Sequence, residues 1–354
     1  MALAKSVPKT LLPGRASCDI PRMKKSTWDL VGNTPLVEIE SLSKLTGGRI
    51  FAKCEFMNPG GSVKDRAAKF IIDEAEKSGA LKPGGTIVEG SAGNTGIGLA
   101  MLAAARGYKT IVTIPDNQAQ EKYAILEALG AEVRKVKPVP FANTDHFYHQ
   151  AKRISEETPG AFWANQFENL ANLKAHEEGT GAEIWEDTAG RIDVFTCAVG
   201  TGGTMGGVSR SLKSRAAAAG RDVRTILADP EGSGLFSYKK TGVIQSSGSS
   251  VTEGIGIMRI TANFAAAKID DAIRILDTEM IDMLFHLARY EGLFVGTSAA
   301  LNVMAAYKLA MTEKGSGKTF VTILCDHGSR YQSKLLSETW RKEKGLEPVP
   351  LGTR

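Results

Sequence analysis

From residue 26 onward, short apolar and β-branched runs alternate with longer stretches in which apolar residues recur at helical spacing. The short runs predict buried strands, and the longer stretches predict helices. Strands that alternate with helices in this way indicate parallel sheets with helices on both faces. The predicted strands lie at 86–88, 110–114, 194–196, 225–227 and 320–324. The predicted helices lie at 63–78, 95–106, 118–129, 144–157, 176–187, 204–215, 278–291 and 298–311.

The first of these helices follows a turn-forming run at 58–61, Asn-Pro-Gly-Gly. Ser62 stands in the N-cap position, and Asp65 stands three residues later in the capping-box position. Lys64 therefore places a cation in the first helical turn, where the helix dipole disfavours positive charge. Because such violations of a local rule gather at functional sites, Lys64 is a candidate reactive amine. A solvated lysine that happens to lie near a cap is an alternative of equal weight.

Two glycine-rich loops each follow a predicted strand and open a predicted helix. In the loop at 89–96, backbone N–H groups and the side chains of Ser91, Asn94 and Thr95 are suited to hold a carboxylate. An ordinary strand-to-helix turn explains this loop equally well. In the loop at 200–204, Gly-Thr-Gly-Gly-Thr, the glycines let the backbone approach a phosphate and two hydroxyls add donors. The second loop predicts a single phosphate rather than a dinucleotide.

Three further stretches carry less information. Ser298 opens the helix at 298–311, and by itself it is a satisfactory N-cap. The run at 315–319, Gly-Ser-Gly-Lys-Thr, resembles a P-loop, but Thr312 stands where the first glycine belongs and the strand follows the run. We therefore predict a turn there. The small-residue run at 246–250 predicts a mobile loop.

The 354 residues suffice for two α/β domains, and a content of 42% hydrophobic and 23% charged residues is typical of soluble globular proteins. Of the 44 basic and 39 acidic residues, six and one fall within 1–25, so the remainder is balanced and nucleic-acid binding is not indicated. No run is long and apolar enough for a signal peptide or a membrane span. We predict a cytoplasmic protein with a disordered leader at 1–25, and organelle targeting by this basic leader is the alternative.

Cysteine and histidine positions bear on redox state and metals. The cysteines are widely separated without CxxC spacing, which indicates a reducing compartment and no disulfide framework. Cys325 ends a predicted buried strand and is interpreted as a small core residue rather than a nucleophile. His146 and His149 are the histidines nearest to ligand spacing, and a solvated helical face explains them better than a metal site. No metal is predicted. The four cysteines are Cys18, Cys54, Cys197 and Cys325.

Four features follow one another along the chain: a lysine at a helix start, an asparagine-bearing loop, a phosphate loop and a late serine. A sequence with these features in this order resembles one family. It is the cysteine synthase (O-acetylserine sulfhydrylase) and cystathionine β-synthase family of fold-type II pyridoxal-phosphate enzymes. The resemblance runs from 30–36 (LVGNTPL) to 330–333 (RYQS). It implies an α/β fold like that of tryptophan synthase β, with two three-layer αβα domains and mostly parallel sheets. The smaller domain is expected at 57–167, and the larger one at 26–56 and 168–354.

The resemblance also implies residue roles. Lys64 would hold pyridoxal 5′-phosphate as a Schiff base and then act as general base and acid. Asn94 would hydrogen-bond the 3′ oxygen of the cofactor, and Ser298 its pyridine nitrogen. The cofactor phosphate would be bound by Gly200, Thr201, Gly202, Gly203 and Thr204. The substrate would be bound by Ser91, Asn94, Thr95 and Gln166 at its α-carboxylate and by the loop of Gly254 beside its amine.

The implied reaction is a β-replacement that makes L-cysteine from O-acetyl-L-serine or O-phosphoserine and sulfide, through an α-aminoacrylate intermediate. A neutral serine at the pyridine nitrogen makes the ring a weaker electron sink, which disfavours a long-lived carbanion and lets β-elimination compete. The resemblance further implies an amino-acid substrate, a thiol or sulfide nucleophile and a homodimer. The C-terminal peptide of serine acetyltransferase is an additional candidate partner.

Several positions depart from the family pattern and leave the substrate open. Gly90 and Ala92 replace a common proline and serine, and Ala300 replaces a common glycine. The run at 325–327, Cys-Asp-His, stands where many relatives carry small hydroxyl residues. The alternatives are cystathionine or β-cyanoalanine synthesis, serine dehydration, or a tailoring step in a specialised pathway. A binding or regulatory protein on a retired catalytic fold is the third hypothesis.

Overall fold

A computed structural model of the chain describes residues 26–353 and shows a mixed α/β protein with two sheets. The leader prediction for 1–25 lies outside the described residues. Within the described range, the strands are β1 (Leu36–Glu38), β2 (Arg49–Lys53), β3 (Thr86–Gly90), β4 (Lys109–Pro115), β5 (Glu132–Val136), β6 (Ala161–Trp163), β7 (Val194–Ala198), β8 (Arg224–Pro230), β9 (Asp271–Ile275) and β10 (Thr319–Ile323).

The helices begin and end near the predicted bounds where a prediction was made. Described in chain order, they are α1 (Glu40–Thr46), α2 (Lys64–Ser78), α3 (Asn94–Arg106), α4 (Gln120–Ala128), α5 (Phe147–Glu157), α6 (Ala171–Ala175), α7 (Gly181–Asp187), α8 (Gly203–Ala218), α9 (Leu235–Thr241), α10 (Ala262–Ala265), α11 (Asp277–Tyr290), α12 (Thr297–Thr312) and α13 (Glu338–Lys344). A π-helical turn, His176–Thr180, joins α6 to α7.

Both sheets are almost entirely parallel. The larger sheet has the strand order β1-β2-β10-β7-β8-β9, and within it β1 pairs antiparallel with β2 while the other neighbours are parallel. The smaller sheet has the order β5-β4-β3-β6 and is parallel throughout. The predicted α/β class with mostly parallel sheets is confirmed.

Helices cover both faces of each sheet, as the strand-helix alternation predicts. In β10, Phe320 packs in the core with α1, α11 and α12, whereas the next residue, Val321, packs in the core with α7 and α8. In β3, Ile87 packs with α2 and α3, whereas Val88 packs with α5. Because successive side chains of a strand point to opposite faces, a sheet buried on both faces needs continuous apolar runs. Full burial of each such side chain contributes about 1.5–3 kcal/mol.

The start of α2 differs from the predicted capping box. The helix begins at Lys64, and Val63 before it already has helical dihedral angles (φ −56°, ψ −20°). The Asp65 carboxylate accepts a hydrogen bond from the amide of Gly60 at 2.5 Å, not from Ser62. The reason is tertiary, because Ser62 pairs its backbone with Asp326 and Val63 donates to the Cys325 carbonyl at 2.8 Å. The Ser62 hydroxyl still accepts from the Lys64 amide at 3.3 Å.

Three smaller predictions can be compared with the structure. The run at 315–319 forms a turn that leads into β10, whose first residue is Thr319, so the predicted turn is confirmed. The run at 246–250 lies in an exposed stretch without helix or strand, and its mobility stays a prediction. Among residues 26–353, no helix is long and apolar enough to cross a membrane.

Candidate active site

A cavity of about 350 Å³ lies where the carboxyl ends of strands from both sheets meet. Its walls include the residues that follow β3, β7 and β10, which is where open parallel sheets bind ligands. Among the predicted site residues, only Gly203 does not line it. Those that do are Lys64, Ser91, Asn94, Thr95, Gln166, Gly200, Thr201, Gly202, Thr204, Gly254 and Ser298.

Lys64, the first residue of α2, extends into this cavity and is partly buried. Its Nζ has no hydrogen bond or ion pair with another residue of the described part of the chain. Its positive charge acts to lower the pKa of two thiols that also line the cavity, those of Cys197 and Cys325. Burial outweighs this effect in both cases and raises the pKa of Cys325 to about 11. Lys64 is thus a free amine held among groups of the larger sheet.

The turn at 200–204 leads from β7 into the 16-residue helix α8. Gly202 has a φ of +90°, which lets the chain reverse into the helix, and the first N–H groups of α8 have no intrahelical acceptors. The Asn172 amide donates to the Thr201 hydroxyl at 2.9 Å. Asn172 also explains why residue 203 is a glycine, because a Cβ at 203 would lie 2.0 Å from Asn172 Oδ1. The N-terminus of α8 thus faces the cavity with free N–H groups, an arrangement suited to an anion.

The buried His176 side chain contacts the same turn through Thr204. Its ring lies fully buried in the π-helical turn, with Nε2 3.3 Å from the Thr204 hydroxyl and Nδ1 2.8 Å from the Thr180 hydroxyl. Burial, and then the Arg66 and Lys64 charges, lower the pKa of His176 well below its usual value. The imidazole is therefore neutral at physiological pH, and it orients the Thr204 hydroxyl rather than adding charge.

The loop that follows β3 is arranged around Ser91. The Ser91 hydroxyl oxygen accepts from the amides of Gly93 at 3.0 Å and Gly96 at 3.2 Å, so its own proton remains available to a ligand. Gly93 has a φ of +133°, a conformation that side chains oppose. The loop therefore presents a hydroxyl donor at the N-terminus of α3, as carboxylate binding requires.

Gln166 lies beside this loop, but its hydrogen bonds are already made. Its side-chain nitrogen donates to Glu89 at 3.2 Å and to the Gly90 carbonyl at 3.0 Å, and its oxygen accepts from the Thr95 hydroxyl. Both amide hydrogens are thereby engaged. Burial raises the pKa of Glu89 to about 8. In this arrangement Gln166 holds Thr95 and has no donor left for a carboxylate.

Asn94 lines the cavity at the first residue of α3. Its amide nitrogen donates to Asp326 at 2.8 Å, and its amide oxygen accepts from Arg330 at 2.5 Å. An amide nitrogen carries two hydrogens, so one donor of Asn94 remains for a ligand. Sequence reasoning did not anticipate the two buried partners, which lie more than 230 positions away in the chain.

At the far end of the cavity, Ser298 in the first turn of α12 lies beside Cys325. Cys325 is partly buried, accepts from the Asn302 amide at 3.3 Å and interacts with the Ser298 hydroxyl. Cys325 thus packs against the core, as predicted, and also lines the cavity, which was not predicted. Since burial keeps the thiol protonated, the structure gives Cys325 no nucleophilic character.

The departures from the family pattern have distinct environments. A Cβ at Gly90 would lie 3.0 Å from the Phe147 carbonyl oxygen and from Tyr148 Cα, which is tighter than an ordinary contact, so the close packing of α5 favours glycine there. Ala92 lines the cavity, where it removes a hydroxyl. Ala300 is fully buried in the large core and does not line the cavity. Of these three changes, only the one at 92 alters the wall that a substrate meets, and Cys325 of the departing run at 325–327 lines the same cavity.

One wall of the cavity was missed by sequence reasoning. The Arg259 guanidinium lies 4.3 Å from the Phe141 ring centroid, 5.0 Å from that of Tyr148 and 4.8 Å from that of Phe167, and it is paired with Glu168. Such cation–π contacts join the segment before α5 to the loop around 259. The only sequence signal was the density of aromatic residues and histidines at 141–149.

The histidine pair in that segment has ordinary partners. His146 accepts from the Tyr148 amide at 3.2 Å, and His149 lies 2.7 Å from the Phe141 carbonyl oxygen. Among the residues that the structure describes, no group of three or more His, Cys, Asp and Glu side chains is placed to hold a metal ion.

The chain matches known proteins over most of its length. "Cysteine synthase 1" of Emericella nidulans is 48% identical over 322 residues, which cover 90% of this chain and 86% of that protein. "Cysteine synthase" of Dictyostelium discoideum is 46% identical over 329 residues, with 90% and 86% coverage. The crystal structure of the O-acetylserine dependent cystathionine beta-synthase from Helicobacter pylori superimposes with a TM-score of 0.80 at 34% identity and covers 88% of this chain and 98% of that one.

A family model described as "Pyridoxal-phosphate dependent enzyme" matches residues 27–326. This range contains both sheets and every predicted site residue. With a free lysine amine and two glycine-rich loops on one cavity, the chain belongs to the pyridoxal-phosphate dependent enzyme family.

Proposed function

We propose that this protein is a β-replacement enzyme that makes L-cysteine from O-acetyl-L-serine, or O-phosphoserine, and sulfide. The observation that carries the proposal is the convergence of Lys64, the 200–204 turn and the loop of Ser91 on one cavity. The two relatives named cysteine synthase, at 48% and 46% identity, support the same reaction. The substrates are accordingly an amino acid with a β-leaving group and a small sulfur nucleophile.

The residues of the cavity fit pyridoxal phosphate. When bound, the cofactor supplies the electron sink that weakens the Cα–H bond of an amino-acid substrate. We assign its phosphate to the turn formed by Gly200, Thr201, Gly202, Gly203 and Thr204, because Gly203 packs on Asn172 too closely for any side chain and the N-terminus of α8 faces the cavity. Ser298 is assigned to the pyridine nitrogen and Asn94 to the 3′ oxygen.

Lys64 is assigned the attachment of the cofactor and the proton transfers at the substrate Cα. Its amine has no competing partner among residues 26–353, which leaves it available for both tasks. The Ser91 hydroxyl binds the substrate carboxylate at the N-terminus of α3, and Thr95 contributes its backbone N–H, because its hydroxyl donates to Gln166. The loop of Gly254 lies beside the substrate amine. Gln166 can donate to the substrate carboxylate only after its amide hydrogen bond to Glu89 or to the Gly90 carbonyl breaks. We therefore propose that its side chain rotates when substrate binds.

A second candidate reaction is cystathionine synthesis from O-acetylserine and homocysteine. The Helicobacter pylori protein whose fold this chain shares is named as an O-acetylserine dependent cystathionine beta-synthase. The aromatic wall with Arg259 offers a surface on which a larger nucleophile could lie. Both candidates use the same cofactor and the same first substrate, and they differ only in the nucleophile.

The wider assembly is also a proposal. Residues 57–167 are proposed as the smaller domain, since they contain all four strands of the smaller sheet, although its core also includes Trp28 and Ala171 from outside this range. We also propose that the protein is a homodimer and that it binds the C-terminal peptide of serine acetyltransferase. The proposed location is cytoplasmic, and organelle import by the basic leader is the alternative.

The test combines cofactor binding with a substrate panel. Purified protein supplied with pyridoxal phosphate is expected to show the visible absorption of bound cofactor, and Lys64→Ala is expected to lose it. O-Acetylserine, O-phosphoserine and serine are then assayed against sulfide, homocysteine and cyanide. We expect the highest kcat/KM for O-acetylserine with sulfide. A preference for serine, product formation without a nucleophile, or a protein that binds no cofactor would each refute the proposal.

A further inference from the structure

Asp326 is a buried carboxylate that the proposed chemistry does not use. It follows β10, is fully buried and does not itself line the cavity. Its Oδ2 accepts from Asn94 at 2.8 Å and from the Tyr331 hydroxyl at 2.6 Å, whereas its Oδ1 is buried without a hydrogen-bond partner in the described chain. Leaving a buried charged oxygen unpaired is unfavourable, so a compensating role is expected.

The position of this carboxylate is closely determined by its surroundings. A Cβ at Gly296 would lie 2.2 Å from Asp326 Oδ1 and 2.4 Å from the Tyr331 ring, so only glycine leaves room. The backbone of Asp326 is anchored separately, because its carbonyl accepts from the Gly296 amide at 3.0 Å and it pairs with Ser62. A change confined to the carboxylate therefore leaves the chain path supported.

Asn94 lies between Asp326 and a buried cation. Arg330 is 4% exposed, donates to Asn94 Oδ1 at 2.5 Å and also donates to the Gly60 carbonyl. The amide of Asn94 therefore has an anion at its nitrogen and a cation at its oxygen. The reverse orientation would set oxygen against carboxylate and N–H against guanidinium, and both contacts would be repulsive. The two charges thus fix which end of the amide faces which way.

We infer that Asp326 is a positioning residue that holds the Asn94 amide as a hydrogen-bond donor toward the 3′ oxygen of the cofactor. One hydrogen of Asn94 Nδ2 binds Asp326, which fixes the plane of the amide and leaves the other hydrogen for the ligand in the cavity. The negative charge also polarises the N–H bonds of the amide, which strengthens donation to an anionic oxygen. This inference rests on the proposed role of Asn94.

The test measures the pyridoxal-phosphate dissociation constant of the apoprotein by equilibrium dialysis, together with the visible spectrum of the reconstituted holoenzyme. Asp326→Asn keeps the shape of the side chain and removes its charge. We expect a dissociation constant roughly tenfold higher, equivalent to about 1.4 kcal/mol. The cofactor band should shift in the same direction as in Asn94→Ala, because both changes weaken donation to one oxygen. In the double variant, Asp326→Asn should add nothing to the effect of Asn94→Ala.

Asp229→Asn is the matched control, since Asp229 is also fully buried with an unpartnered Oδ1 but lies outside the cavity lining. It should leave cofactor affinity unchanged. If Asp326→Asn does not fold, Arg330→Gln is the second variant, because it removes the positive charge that binds the oxygen of the same Asn94 amide. It is expected to raise the dissociation constant in the same way. The inference is overturned if the variant binds cofactor like the wild type, if its effect persists beside Asn94→Ala, or if Asp229→Asn weakens binding equally. A wild-type protein that binds no cofactor would instead refute the proposed function.

Discussion

Removal of the Lys122 charge should destabilise the protein through one buried ion pair. Lys122, in α4, has a side chain that is 2% exposed and donates to Glu253 at 2.5 Å. Glu253 belongs to the loop before Gly254, so the pair joins the helices of the smaller sheet to a segment of the larger one. Lys122→Met keeps an unbranched apolar side chain, with sulfur in place of Cδ, and removes the ammonium group.

The magnitude follows from the burial of both partners. Breaking a buried ion pair by removing one partner is expected to lower the free energy of unfolding by about 3–5 kcal/mol. Glu253 retains a second cation, because Lys334 donates to its other oxygen at 2.5 Å, so we expect the lower end, about 3 kcal/mol. The Lys122 stem also supports the carboxylate loop, since a Cβ at Gly93 would lie 2.5 Å from Lys122 Cδ.

The effect should depend on pH in a defined direction. Burial acts to raise the pKa of Glu253, but Lys122 and Lys334 together hold it below its usual 4.5. A carboxylate with a depressed pKa contributes stability that is present above the unfolded pKa and is lost as the pH falls through the folded pKa. The difference between the wild type and Lys122→Met should therefore be full near neutral pH and shrink below about pH 4.5.

Urea denaturation followed by tryptophan fluorescence measures this difference at each pH. Lys44→Met is the control, because Lys44 forms an ion pair with Glu40 that is exposed on both sides. Exposed pairs contribute little, so the control should unfold like the wild type. Equal stability of Lys122→Met and the wild type at neutral pH, or a difference that grows on acidification, would refute the reasoning.

Three further changes test the site and its support. Gly203→Ala brings a Cβ within 2.0 Å of Asn172 Oδ1, so equilibrium dialysis should show a pyridoxal-phosphate dissociation constant at least about tenfold higher. Unchanged affinity would argue against the 200–204 turn as the phosphate site. Gly90→Ala places a Cβ 3.0 Å from the Phe147 carbonyl oxygen, and thermal unfolding should show a loss of about 1–3 kcal/mol. Since burial raises the pKa of Glu89 from 4.5 to about 8, the folded wild type loses stability as the pH rises between these values. Glu89→Gln should therefore gain stability relative to the wild type across that range in urea titrations, and a constant difference would contradict the assigned shift.

The interior strands and the helices that follow them could be predicted from the sequence. The predictions at 86–88, 110–114, 194–196, 225–227 and 320–324 coincide with strands of the structure, and only the last runs one residue past its strand. These strands are buried on both faces and therefore appear as continuous apolar runs. The missed strands β1, β5, β6 and β9 are the four sheet edges, which are partly exposed and lack such runs. The missed strand β2 lies in the interior, but it begins with exposed Arg49 and ends in Lys53, which is buried against Glu183 and Asp187.

The sequence by itself determined which donor groups the protein carries and at which strand ends they stand. Loops that follow parallel strands converge at one sheet edge, so the loop of Ser91 and Asn94 and the 200–204 turn were expected together. The family resemblance added Lys64 and Ser298, and all of these groups share one cavity.

Only the tertiary structure decided which of these groups are free to act. The Gln166 donors are engaged by Glu89 and Gly90, whereas Asn94 keeps one donor between Asp326 and Arg330. The physical reason is that a buried polar group must find its partner wherever the folded chain supplies one. That partner can lie hundreds of positions away, where no local pattern of hydrophobic and polar residues records it.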